Sequence, residues 1–242
     1  MEEAATGRRR GRPRGITAQG EDTRRRLYAA ALRLMAAGGW QATTLRDIAG
    51  EAGVSVGLLY RYFPSKRAVV MALYDELSAE FAERAAALPR GSWSSRFVAA
   101  LETSLAVLGP HRPVLAGFVP VLFGGADEGL FAPGTAFSRR RVQAVFEQAV
   151  AGATDAPRPA LAAPLGRLLY LLHLAVLLWW LLDRSPDQRA TAGLVALLRR
   201  ALPLGAVALR LPPVRSMLLA ADRLVRDALF DDADTPKEED PR

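Results

Sequence analysis

The residues with the strongest chemistry are basic, and they crowd one end of the chain. Arg8-Arg9-Arg10-Gly11-Arg12-Pro13-Arg14-Gly15 sets five arginines among glycine and proline. Such a strand is thin and extended, so its guanidinium groups fit the narrow minor groove of an A·T-rich duplex. A generic phosphate-binding tail or a disordered linker are the other readings. Residues 1–67 hold 13 Arg/Lys and 6 Asp/Glu, which is +7, while residues 68–242 hold 19 of each and are neutral. The chain's whole excess of +7 therefore sits in its first quarter. A surplus confined to one small segment is the electrostatic footprint expected of a nucleic-acid contact.

Other chemistries lack their residues. There is no cysteine, and His111 and His173 are the two histidines, so thiolate sites, disulfides and a histidine-built metal site are not expected. No nucleophile–base pair, Walker loop or dinucleotide glycine pattern stands out, and the expectation is a non-enzyme without cofactor or metal. With 50% hydrophobic and 24% charged residues the chain is a folding one. Glu2 and Glu3 are followed by arginines rather than an apolar h-region, which leads us to expect an intracellular, cytoplasmic protein. The apolar run Leu168–Leu182 has 15 residues. Spanning a bilayer takes about 20, so a buried core helix with no membrane partner is expected.

The elements that must position the basic end read as helices. Leu27, Ala30, Ala31, Leu34 and Met35 fall at helical spacing over 21–38, with Gly38-Gly39 as a stop. Thr43 and Thr44 offer an N-cap for a short helix, Leu45 to Glu51, and Ser55 caps a second one running to Tyr62. Pro64-Ser65 starts a long helix with Val69, Leu73, Leu77 and Phe81 on one stripe, reaching Leu88. Beyond Pro89-Arg90-Gly91 helices are expected near 92–108, 112–123, 134–151, 161–183, 187–201 and 213–230, with Pro120 kinking or splitting its helix. The fold class is all-α: a small three-helix head with a helix-turn-helix, and a larger helical body. The expected divisions are a disordered basic arm at 1–16, a basic head at 17–67, a helical body at 68–230, and an acidic tail at 231–242.

Residues 43–66, TTLRDIAGEAGVSVGLLYRYFPSK, hold two short helices across Ala52-Gly53-Val54, the dimensions of a helix-turn-helix. Leu45, Ile48, Ala49, Val54, Leu58 and Leu59 can pack on Leu27, Leu34 and Met35. Ser55, Val56, Gly57, Tyr60, Arg61 and Tyr62 then remain outward. The first of these are small and uncharged, so the backbone can approach DNA, and helix N-termini attract phosphate.

The run LRDIA, EAGVS, LLYRYF and PSK, in order from Thr44 through Lys66, resembles the TetR family of bacterial transcriptional regulators over residues 20–70. The body, 90–242, is not matched. The resemblance implies a phosphate contact for Thr44, a recognition helix bearing Ser55, Val56, Gly57 and Tyr60, exposed Arg61 and Tyr62 at its end, and phosphate binding by Lys66. Val56 departs from the polar or basic residue often found there; it can touch a thymine methyl but cannot hydrogen-bond a base edge. Readout would then lean on Arg61 and on the arm, where RGRPRG resembles an AT-hook core through Arg10, Arg12 and Arg14.

Double-stranded DNA read as a pseudo-palindrome calls for a two-fold homodimer, expected through helices 161–183 and 213–230. The first is apolar nearly all round and needs cover on every side; the second carries Val214, Met217, Leu218, Ala221, Leu224, Val225 and Leu229. A pocket for a small, mostly apolar or aromatic effector is expected within 92–183, lined by Trp93, Phe97, Phe118, Phe123, Phe137, Phe146, Tyr170, His173 and Trp179, with simple core as the alternative reading for any one of them. The resemblance implies repression relieved by the effector. Rival readings are a ligand-independent architectural DNA binder and a membrane-associated helical protein with its basic arm on anionic lipid.

Each arginine–phosphate contact contributes about 0.9 to the slope of log affinity against log salt. Deleting residues 1–15 is expected to weaken DNA binding and to flatten that slope, read from titrations at several salt concentrations. An unchanged slope would make the arm a bystander.

Overall fold

The computed structural model describes residues 18–122 and 131–230. The basic arm, Phe123 and the acidic tail lie outside them. Among the described residues there are ten α-helices and no strand: α1 (Ala18–Ala42), α2 (Leu45–Glu51), α3 (Val56–Tyr62), α4 (Lys66–Ala85), α5 (Trp93–Leu108), α6 (Arg112–Leu122), α7 (Ala136–Ala151), α8 (Pro159–Leu182), α9 (Arg189–Ala208) and α10 (Pro212–Leu229).

Capping fixes where several of these start. Thr44, Ser55, Ser65 and Ser92 each stand in extended backbone and accept a bond from an N–H of the first turn of α2, α3, α4 and α5. α8 and α10 open on Pro159 and Pro212, where the missing N–H costs nothing. Buried Leu27, Ala30, Ala31 and Met35 of α1 meet Ile48, Ala49 and Leu59 of α2 and α3, and the apolar cluster continues without a break through the body to Leu218. α4 buries Val69, Val70, Leu73, Leu77 and Phe81 toward α5 and α7.

Three expected boundaries move. The glycine pair does not end α1: the backbone breaks at Gly39 (φ 81°, ψ 164°) and resumes to Ala42. α6 runs unsplit past Pro120 to Leu122. α9 continues through Pro203 to Ala208 instead of ending near 201. Pro203 is exposed, so water can serve the carbonyl it leaves without a donor.

α8 is the centre of the body. The Arg112 guanidinium caps its C-terminal end, donating to the carbonyls of Trp180 (2.9 Å) and Asp183 (2.6 Å). Asp222 of α10, nearly fully buried, takes two bonds from Arg167 (2.7 and 3.2 Å), which pins α10 to α8. The apolar run Leu168–Leu182 is shorter than a bilayer span, but the helix that holds it is longer. α8, at 24 residues, and the 23-residue span Pro186–Ala208 are both long and apolar enough to cross a membrane by length and composition, with 39% and 11% of their windows buried in the protein.

α7 and α8 approach so closely that a Cβ at Gly166 would lie 2.7 Å from the Glu147 Cα. Backbone cannot yield as a flexible side-chain end can. Gly166→Ala is therefore expected to destabilise the fold by about 1–3 kcal/mol, measured by denaturant unfolding with an unchanged m-value.

Candidate nucleic-acid interface and body cavity

The head is built by local chemistry. Thr44 and Asp47 form a reciprocal cap: Asp47 Oδ2 accepts from the Thr44 N–H (2.9 Å) and hydroxyl (2.7 Å), and Thr44 Oγ1 accepts from the Asp47 N–H (3.2 Å). Those bonds hold the Asp47 carboxyl below the usual carboxylate range. The turn to α3 needs a left-handed residue, and Gly53 supplies it (φ 65°). Buried Leu59 anchors α3, leaving Ser55, Gly57, Tyr60 and Arg61 exposed on one flank, and Thr44 is exposed at the start of α2. Val56 and Tyr62, expected outward, are half-buried against the head core. On a helix of seven residues the packed face takes its neighbours with it.

Lys66 is engaged within the protein. Its Nζ donates to the Trp40 carbonyl (2.8 Å) and stands 4.5 Å from the centre of the Trp40 ring. Several further head cations are exposed. Arg33 pairs with Glu51 (3.0 Å) and Arg26 with Asp22 (3.3 Å), whereas Arg46 is exposed on α2 near Thr44 in the sequence. The motif gave no reason to single out Arg46.

Trp40 joins head to body. The break at Gly39 turns its indole onto α6, where it meets Phe118 with ring centres 4.2 Å apart. Gly117 makes room: a Cβ there would sit 3.4 Å from the Trp40 Cβ.

Phe118 borders a cavity of about 360 Å³ between α4, α5, α6, α7 and α8. Its wall is largely aliphatic and aromatic, with Arg67, Tyr74, Ser78, Ser104, Thr135 and His173 as its polar or charged members. His173 is 2% exposed, its Nε2 lies 2.8 Å from Ser104 Oγ, and its ring is parallel to Phe81. Burial pushes its pKa down from 6.5 to about 3, so the ring is neutral. Burial likewise pushes the Tyr74 and Tyr170 phenols up.

Of the expected lining residues, Phe118 and His173 border this cavity. Phe97, Phe146 and Tyr170 are buried core around it. Trp93 borders a separate cleft of about 450 Å³ beside Asp155, Arg158 and Arg210. Phe137 is 70% exposed under the Arg141 guanidinium, and Trp179 is 51% exposed on the outer face of α8. Successive helical residues differ by about 100°, and it is Trp180 that turns inward to the cavity. The wall of this cavity also reaches outside 92–183, since α4 contributes Val70, Met71, Tyr74, Leu77 and Phe81 to it. Among the described residues no group of three or more His, Asp or Glu could hold a metal ion.

Residues 27–73 match the bacterial regulatory proteins of the tetR family. Over 61 residues the chain is 44% identical to the HTH-type transcriptional repressor KstR of Rhodococcus jostii (strain RHA1), covering 25% of this chain and 27% of that protein. The match thus spans little more than a quarter of the curated relative's length. In fold, the chain is similar to a tetR-family transcriptional regulator from Streptomyces coelicolor, with a TM-score of 0.57 at 22% identity over 86% of this chain and 98% of that one. It is similar also to the transcriptional regulator FadR from Bacillus subtilis, solved in complex with stearoyl-CoA, with a TM-score of 0.54 at 17% identity over 72% and 96%.

Between about pH 6.5 and 3 the unfolded chain takes a proton on His173 that the folded chain refuses, so stability falls as pH drops through that window. Relative to His173→Phe, the wild type is expected to lose about 1.4 kcal/mol per pH unit there. Denaturant unfolding of both proteins from pH 7 to pH 4 tests this; parallel profiles refute it. Residues 27–73 thus form a head of the tetR type, set in a helical fold similar to those of the solved regulators.

Proposed function

We propose that the protein is a sequence-specific DNA-binding transcriptional regulator, a repressor whose hold on its operator is relieved by a small, mostly apolar effector. The observation that carries this reading is the α2–turn–α3 unit, capped at both helices, with Ser55, Gly57, Tyr60 and Arg61 on the exposed flank of α3. In this reading residues 17–67 are the DNA-binding head and 68–230 the effector and dimer domain. α3 lies in the major groove, Thr44 and Lys66 meet phosphates, and Arg10, Arg12 and Arg14 follow the minor groove.

The dimer of this reading is two-fold and uses α8 and α10. Each keeps apolar side chains out of its own protomer: Trp179 and Leu182 on α8, and Met217 and Leu224, both 70% exposed, on α10. The cavity supports an apolar effector, and a FadR of similar fold was solved with stearoyl-CoA. Phe118 links that cavity to Trp40, whose carbonyl holds Lys66 at the start of α4. An effector that prefers one position of α6 would shift Trp40 and α4, and with them the spacing of the two heads.

Tyr60→Ala is expected to weaken binding to the protein's own upstream DNA by about tenfold, and Lys66→Ala to weaken it as well. Sedimentation should show the same dimer for both. Unchanged mobility-shift affinity in both variants would remove the assigned contacts. An affinity equal for any competing duplex would favour the architectural reading instead.

A further inference from the structure

Ser104 and His173 stand together in the cavity wall, Oγ to Nε2 at 2.8 Å. The other ring nitrogen, Nδ1, is buried without a protein partner. Phe81 lies parallel to the ring at 6.0 Å and Phe146 is tilted against it at 4.7 Å, centre to centre. With aromatic neighbours on the ring and Nε2 turned to Ser104, Nδ1 is the polar atom that His173 has left to offer the cavity.

The neutral ring carries one proton, and with Ser104 it shares one bond between two donors and two acceptors. If Nε2 held the proton and donated to Ser104, the serine proton and the Nδ1 lone pair would be left unsatisfied. If Ser104 donates to Nε2 instead, an Nδ1–H and the serine oxygen's lone pairs are left. An imidazole nitrogen is a stronger acceptor than a hydroxyl oxygen, so the second arrangement makes the stronger bond and orphans the weaker acceptor.

We propose that His173 Nδ1–H is a hydrogen-bond donor for an acceptor oxygen on an uncharged apolar effector, a ketone, ester or similar carbonyl compound. An anionic effector fits less well. The ring carries no charge to meet an anion. The inference rests on the effector-cavity reading above and adds to it the chemical class of the ligand.

The full chain has two imidazoles to assign, those of His111 and His173. Long-range proton–nitrogen correlation of ¹⁵N-histidine-labelled protein at pH 7 reads the tautomer directly. A protonated Nδ1 is expected for His173, and a protonated Nε2 overturns the proposal. Benzophenone and diphenylmethane share a shape and differ in the carbonyl. Titrated calorimetrically, His173→Phe is expected to weaken benzophenone about tenfold relative to wild type and diphenylmethane by less than about twofold. Equal losses for the two probes, or no loss for benzophenone, overturn it. The tautomer measurement needs no variant, so a His173→Phe chain that fails to fold still leaves the proposal open to refutation. Failure of the wild type to bind either probe counts against the effector cavity itself. Carbonyl-selective binding that leaves affinity for upstream DNA unchanged would preserve this inference and remove relief of repression.

Discussion

One aromatic contact ties the two halves of the molecule together. Trp40 has the head behind it and α6 before it, its ring against Phe118 and its carbonyl bonded to Lys66. The contact exists because Gly39 adopts a backbone conformation closed to L side chains, which swings the end of α1 onto α6. Phe118 in turn borders the cavity. Closely packed joints of this kind shift between discrete arrangements and do not stretch continuously. In the proposed regulator, an effector and an operator compete through this joint by favouring different packings, and the coupling is limited by how differently each binds the two.

The head was far more legible in the sequence than the cavity, and the reason is the range of the interactions. Thr44, Gly53 and Ser55 act on residues within one turn, so their types and spacing state the structure almost completely. All ten helices of the described residues were visible as periodic segments for the same reason. A cavity wall depends on helix phase and on which helix lies opposite. The pair Trp179-Trp180 has no phase on paper, and the structure sends one out and the other in. The contribution of α4 is hidden because its stripe reads as core, whereas Leu77 and Phe81 of that stripe, with Val70, Met71 and Tyr74 beside it, also line the cavity. Lys66 was assigned a phosphate from the motif alone; its bond to Trp40 depends on the Gly39 break, which is tertiary information.

α8 illustrates how a helix apolar on every side is used. Its inner face is fixed by backbone contact at Gly166, by the Arg112 cap and by the aromatic cluster around His173. Arg167 and Asp222 then hold α10 at one angle beside it. A buried ion pair of this kind contributes little net stability over an apolar pair, because desolvation offsets its attraction. Its directionality is what an apolar pair lacks, and the outcome here is that Trp179 and Leu182 of α8 and Met217 and Leu224 of α10 all remain exposed. α9 adds an apolar stripe of its own, with Leu197, Leu204 and Val207 exposed. The exposed apolar surface of the body therefore extends beyond α8 and α10.

The polar pair inside the cavity follows a different logic from the ion pair outside it. Arg167 and Asp222 answer each other's charge and hydrogen bonds. Ser104 and His173 answer each other on one side only, and a phenylalanine and an alanine would fill the same space with no polar atom to desolvate. Burying an unanswered ring nitrogen costs about 1–3 kcal/mol, a large share of the margin by which domains are stable. Within an otherwise tightly packed aromatic cluster, that cost has no structural return. A group that weakens the empty protein and is satisfied by an occupant converts the same free energy into discrimination, since a ligand lacking the matching atom leaves the penalty standing.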